Sequence, residues 1–146
     1  MENLEKSLNK PKKIKLDFKN SKYATGRRKR SVAKVWVKKG SGNIHINGIK
    51  MNEYFKRPVH QIIVTRPLEI SQVSTNYDVK CSVKGGGLSG QAGAIILGIS
   101  KALISHDVDL KKNLKKDKLT TRDSRVVERK KYGHRKARRS FQFSKR

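Results

Sequence analysis

The chain has 146 residues, enough for one domain with a modest core. Its 37 lysines and arginines against 11 acidic residues leave a formal net charge of +26, which opposes compaction unless a polyanion neutralises it, so nucleic acid is the first partner to consider and anionic membrane the second. A single cysteine, Cys81, excludes an internal disulfide and a multi-cysteine zinc site, and without a run of about 18 apolar residues no membrane span is expected.

The charge is uneven. Residues 1–30 carry 11 basic and 3 acidic side chains, residues 31–110 carry 10 and 5, and residues 111–146 carry 16 and 3. The pattern predicts a folded middle between two basic arms. Residues 1–22 are Lys- and Asn-rich with little periodicity and read as a mobile extension. This start lacks the apolar core of a secretory signal, and with Glu2, Glu5, Asp17 and no arginine it is a poor match to a mitochondrial transit peptide. The protein is therefore expected to work in the compartment where it is made.

From Ala33 the chain alternates: Ala33, Val35 and Val37 face one way, Lys34, Trp36 and Lys38 the other. Gly40-Ser41-Gly42 supplies a turn, Ile44 and Ile46 resume the alternation, and Asn47-Gly48 makes a second turn, so a β-hairpin is predicted. A helical turn is expected at Asn52–Phe55, and a short helix in HQIIVTR between Pro58 and Pro67. Tyr77, Val79, Cys81 and Val83 mark another half-buried strand. Ala92, Ile95, Ile96, Ile99, Ala102 and Leu103 recur at helical spacing and predict a buried helix over about Ser89–Ser105. Asp107 or Asp109 is placed to cap a further helix in LKKNLKKDKL, and beyond Thr121 apolar periodicity fades. Together these give an α+β two-layer sandwich, a sheet packed by one long helix, with domain limits at 1–22, 23–121 and 122–146.

Little of this suggests catalysis. His45, His60, His106 and His134 are far apart and show no metal-ligand spacing, no G-x-S-x-G elbow occurs, and Asp123 and Glu128 read as partners of arginines. The loop Gly85-Gly86-Gly87-Leu88-Ser89-Gly90, between a strand and a helix start, has the chemistry of a phosphate cradle. It lacks the Walker G-K-[ST], since Gly90 is followed by Gln91-Ala92; the alternative is a tight turn with close helix packing. Lys84, Gly85 and Gly86 are candidate contacts to a nucleic-acid phosphate. Arg27, Arg28, Lys29 and Arg30, read as the opening of the first strand, repel each other without a partner and are assigned to backbone phosphates. Trp36 reads as a half-buried strand tryptophan beside lysine stems, with base stacking as the alternative. The end of the chain, RVVERKKYGHRKARRSFQFSKR, has too few apolar residues to bury itself, yet sets Tyr132, Phe141 and Phe143 among its cations, a mixture suited to clasping RNA. From Gly133 to Arg146 it reaches at most about 45–50 Å.

The runs ATGRRKRSVAKVWV, INGIKMNEYF, VKGGGLSGQAGAI, LTTRDSRVVERKKYG and QFSKR closely resemble the ninth-protein family of the small ribosomal subunit in its bacterial and organellar form, from about Tyr23 to Arg146. The resemblance implies a ribosomal-protein α+β fold, no enzymatic activity and no cofactor or metal. Its implied partners are small-subunit ribosomal RNA of the 3′ major domain in the head, neighbouring head proteins, and the anticodon stem-loop of the peptidyl-site tRNA, with no membrane and no small-molecule substrate. It carries tRNA contact onto Ser144, Lys145 and Arg146. The path of the tail through rRNA falls to Arg122, Arg125, Arg129, Lys130, Lys131, Arg135, Lys136, Arg138 and Arg139. It places the chain on the ribosome, in the mitochondrial matrix if organelle-encoded and otherwise in bacterial cytoplasm. Two positions depart from the family pattern: Ile96 stands where a basic residue is common, and His134 follows Gly133 where another residue is usual. Set against this reading are a free-standing RNA-binding or chaperone protein, an enzyme with a phosphate-cradling loop, and a membrane-active cationic protein.

Overall fold

The structure, a computed structural model, describes residues 18–144. Strand β1 (Lys22–Arg28) turns through Lys29 and Arg30 into β2 (Ser31–Lys39), and β3 (Ile44–Ile46) and β4 (Ile49–Lys50) form a second short hairpin. Helices α1 (Met51–Tyr54) and α2 (Pro58–Ile70) come next, then β5 (Tyr77–Lys84), α3 (Leu88–His106) and α4 (Leu110–Lys116). Residues 121–144 form neither helix nor strand. The sheet runs β1-β2-β5-β3-β4, antiparallel throughout except where β3 lies parallel to β5. Helices cover one face, giving the two-layer α+β arrangement.

The alternation in sequence becomes the two faces of the sheet. Ala33, Val35, Val37, Ile46 and Val79 are fully buried, with Ile44, Tyr77, Cys81 and Val83 nearly so. They meet Ile95, Ile99, Ala102 and Leu103 of α3, also fully buried; each large aliphatic side chain removed from water contributes about 1.5–3 kcal/mol. Burial pushes the Cys81 thiol far up and leaves it inert. Helix α3 is long and apolar enough to cross a membrane by length and composition, but most of it is packed inside the protein as the core helix. It approaches β1 and β2 closely because glycines line the contact. A Cβ on Gly98 would lie 2.5 Å from Val35 Cγ2, and one on Gly26 would overlap the Ala94 carbonyl oxygen.

Two expectations about the strands are corrected. The segments around Ala33–Lys39 and Asn43–Asn47 do not pair with each other, because β5 lies between them: Val79 faces Val37 on one side and Ile44 on the other. The loop at Gly40–Asn43 therefore spans the width of a strand. Asp78 fixes it by accepting hydrogen bonds from the Ser41 (3.0 Å) and Asn43 (2.8 Å) backbone N–H groups. The real turn at Asn47-Gly48 closes β3–β4, with φ of 53° and 84°, the left-handed pair that a two-residue type I′ turn requires. Arg27–Arg30, likewise, do not open a strand. They straddle a hairpin turn, since β1 pairs with β2 from Lys22 opposite Val37 to Arg28 opposite Ser31.

Helix α2 begins with Pro58, where the missing N–H costs nothing, and runs through Pro67 to Ile70 rather than stopping before it. Buried Pro67 forfeits one helical bond. The helix then ends in a left-handed turn at Gln72 (φ 53°), with Val73 N–H donating to Leu68 O at 3.0 Å. Helix α4 ends the same way: Lys118 is left-handed (φ 56°) and Leu119 N–H donates to Leu114 O at 3.0 Å. Asp109 stands at the start of α4 without a side-chain capping bond, while Asp107 accepts from the Tyr77 hydroxyl at 2.9 Å.

Candidate nucleic-acid interface

Three separate stretches of the predicted set meet at one end of the sheet. The β1–β2 turn presents Lys29 and Arg30, with Lys29 left-handed (φ 50°). The Ser31 hydroxyl, fully buried behind that turn, donates to Gly85 O at 3.0 Å and ties the turn to the glycine loop. Gly85 and Gly86 have φ of 76° and 62°, a bend that side-chain-bearing residues resist, and a Cβ on Gly86 would overlap Ser31 Oγ. Gln91 also donates to Gly85 O, at 3.2 Å, and accepts from the Tyr54 hydroxyl at 2.8 Å, so the loop is held from the helix side too. No described side chain caps the start of α3 after Gly87. Against this end lies the extended segment 126–130. Lys29, Arg30, Gly86, Gly87, Arg129 and Lys130 line a cleft of about 520 Å³ with Val126, Val127 and Glu128. Lys84 is exposed beside it, at the end of β5.

Arg27 and Arg28 belong to a neighbouring pocket of about 280 Å³, walled by Ile63, Ile96, Leu97 and Leu119 and edged by Arg66, Lys118 and Asp123. Arg28 donates to Asp123 at 3.4 Å, and its buried Nε has no hydrogen-bond partner among the described residues. Asp123 also accepts from the Arg125 guanidinium at 2.9–3.3 Å and from the Arg125 backbone N–H at 3.0 Å. The Arg125 contacts, with Arg28 adding to them, hold the Asp123 carboxyl well below the usual carboxylate range. A lowered carboxyl favours this arrangement at neutral pH, and that advantage is lost as pH falls through the depressed value.

Arg66 and Lys118 were not legible as site residues. Arg66 stands alone in sequence and Lys118 is one of five lysines in residues 111–118, with nothing to single it out; only the left-handed end of α4 and the packing of α2 on α3 bring them to Arg27 and Arg28. Ile96, the departure noted in sequence, walls the same pocket.

The tail residues divide by partner. Glu128 accepts from Arg138 Nε and pairs with Lys131 Nζ, each at 2.9 Å. Lys131, then Arg138, hold its carboxyl below the usual range. Arg135 lies over the Phe141 ring at 5.4 Å and its N–H donates to Arg139 O at 2.8 Å, so residues 128–141 fold back on themselves. The Ser140 hydroxyl lies 3.4 Å from His134 Nδ1. Arg129 donates to Lys130 O at 2.9 Å, and Arg122 and Lys136 are exposed. Ser144 is exposed, while Lys145 and Arg146, like residues 1–17, lie outside the described residues. No group of three metal-ligating side chains occurs among the described residues.

The family model described as Ribosomal protein S9/S16 matches residues 26–146, well over half of the chain. The chain belongs to that family of structural, non-enzymatic proteins of the small ribosomal subunit.

Proposed function

We propose, from that membership, that the chain is the S9 protein of a bacterial or organellar small subunit. In this reading its globular part anchors to ribosomal RNA of the 3′ major domain in the head, and its tail carries Ser144, Lys145 and Arg146 to the anticodon stem-loop of peptidyl-site tRNA. One observation carries the reading: cations and glycines from the β1–β2 turn, the glycine loop and the tail converge on a single cleft. A duplex backbone is a line of phosphates, and a concave site with donors from three directions matches it better than any one cluster does. Guanidinium groups suit phosphate because they pair with it bidentately. Arg28, half-buried at the adjoining pocket, adds a further cation beside this cleft. The domain limits at 22 and 121 follow from the same reading, the arms serving RNA and the middle holding the core.

Small subunits reconstituted with the full chain, or with one ending at Phe143, test this directly. Both are expected to assemble, and the shortened chain to bind peptidyl-site tRNA several-fold more weakly. Equal affinity would remove the tRNA role of the last three residues and leave an rRNA-binding protein. Separately, replacing Arg27–Arg30 with glutamines should lower occupancy in subunits and flatten the salt dependence of rRNA binding, since each lost phosphate contact removes roughly 0.7–0.9 from the slope of log K against log salt. An unchanged slope would remove these residues from the interface.

A further inference from the structure

The face of the sheet turned away from the helices carries its own pattern. Its residues are the alternate members of β1, β2 and β5: Tyr23 opposite Trp36, Lys34 and Lys38 flanking Trp36, and Lys80 opposite Trp36 on β5. The Tyr23 and Trp36 rings are 5.3 Å apart, and Tyr23 is 49 % exposed. The Lys80 ammonium lies 5.9 Å from the Trp36 ring and 5.8 Å from Phe18, which closes the cluster from the N-terminal side. Lys34 and Lys38 are exposed, and no ion pair holds them among the described residues. The carboxylate on this face, Asp78, is turned to the Ser41 and Asn43 amides.

We propose that this open face is a second RNA-binding surface, one that takes an unpaired strand by stacking bases on Tyr23 against Trp36 while Lys34 and Lys38 meet its phosphates. The inference rests on the reading of the chain as an RNA-binding protein, and it adds a site on the side of the sheet opposite the helices. The charge on the face selects a polyanion. Its exposed ring selects a strand whose bases are unstacked, because a duplex keeps its base faces covered. Lys34 and Lys38 are four residues apart on one face, about 13 Å along the strand with Trp36 midway, a spacing that lets them meet phosphates on either side of a base stacked at the rings.

Trp36 is the only tryptophan, so its emission reports this face alone. The full chain is titrated with an end-labelled oligouridylate of about ten nucleotides while Trp36 emission and the polarisation of the label are read together. Quenching that saturates with the polarisation is expected. Tyr23→Ala, and separately Lys34→Gln with Lys38→Gln, should weaken the quench-monitored affinity by roughly tenfold with circular dichroism unchanged. Polarisation that rises while Trp36 emission stays constant overturns this site and leaves RNA binding elsewhere intact; no change in either signal overturns this site too, while the ribosomal reading stands or falls on the subunit reconstitution. A quench whose affinity is untouched by either variant overturns the site as well. So does photocrosslinking of Tyr23 or Trp36 to a protein rather than to RNA in reconstituted subunits.

Discussion

At Gly26 the helix and the sheet come so close that only a hydrogen fits between them. The position lies inside β1, opposite Ala33, and the Ala94 carbonyl and the Gly98 amide of α3 occupy the space a Cβ would need. Both obstacles are backbone, so neither yields by changing rotamer. Gly26→Ala should therefore destabilise the protein by about 1–3 kcal/mol, seen as a lower urea midpoint, and an unaltered midpoint would mean that α3 shifts at little cost. The same crowding explains why β1 is hard to find in sequence. Its inward positions are Ala24 and Gly26, small because α3 needs the room, so the strand offers no run of alternating aliphatic side chains to recognise.

Among the elements, the link between β3 and β5 depends on one side chain. Asn47 ends β3 in the left-handed conformation, and its amide makes the next rung of the ladder: Oδ1 accepts from Val83 N–H at 2.8 Å and Nδ2 donates to Val83 O at 3.2 Å. Its own N–H donates to Cys81 O at 2.8 Å. Asn47→Ala would strand a backbone donor and acceptor and put a Cβ-bearing residue of low left-handed tolerance in the turn. A loss of about 2–3 kcal/mol is expected in equilibrium unfolding, and a loss below about 0.5 kcal/mol would show that water replaces the amide. Asn47-Gly48 is readable as a turn from sequence, and so are the faces of β2, β5 and α3, because periodicity reports which side is buried. Periodicity does not report neighbours. Nothing in Ala33–Lys39 or Asn43–Asn47 says that a strand some thirty residues later will separate them. Of the proposed interface, clustered cations such as Arg27–Arg30 and Arg129–Lys131 stand out in sequence, whereas Arg66 and Lys118 join the pocket only once α2 and the end of α4 are folded. Pro67 misled for a related reason, since burial against the core outweighs the one hydrogen bond it removes.

For the molecule as a whole, a net charge of +26 is stored on a body whose core is of ordinary composition. Three tail cations, Arg125, Lys131 and Arg138, pair with Asp123 and Glu128, as does Arg28 of β1, while the other described tail cations are exposed. Self-repulsion is then a term in stability that salt can remove, because at about 0.15 M the screening length is roughly 8 Å. The urea midpoint of the free chain should rise when sodium chloride is increased from about 0.05 M to about 0.5 M, although binding to RNA weakens over the same range. A midpoint that falls or stays level would show that the two tail carboxylates and the spacing of the cations already relieve the repulsion. The opposite response of folding and binding to one variable separates stability from affinity in any variant of the basic residues.

The central strand of the sheet is the last strand in the chain, and this bears on how the protein comes into being. Until β5 has been made, β1–β2 and β3–β4 have no strand in common to pair with, and an isolated two-stranded hairpin is marginal in water and leaves its edges open. Neither has a core to shelter it until Tyr77–Lys84 has been synthesised and slots between them, with α3 arriving directly behind to cover the result. Contacts this distant in sequence are slow to close, so the nascent chain spends its early life as separate pieces and becomes a domain in one late step.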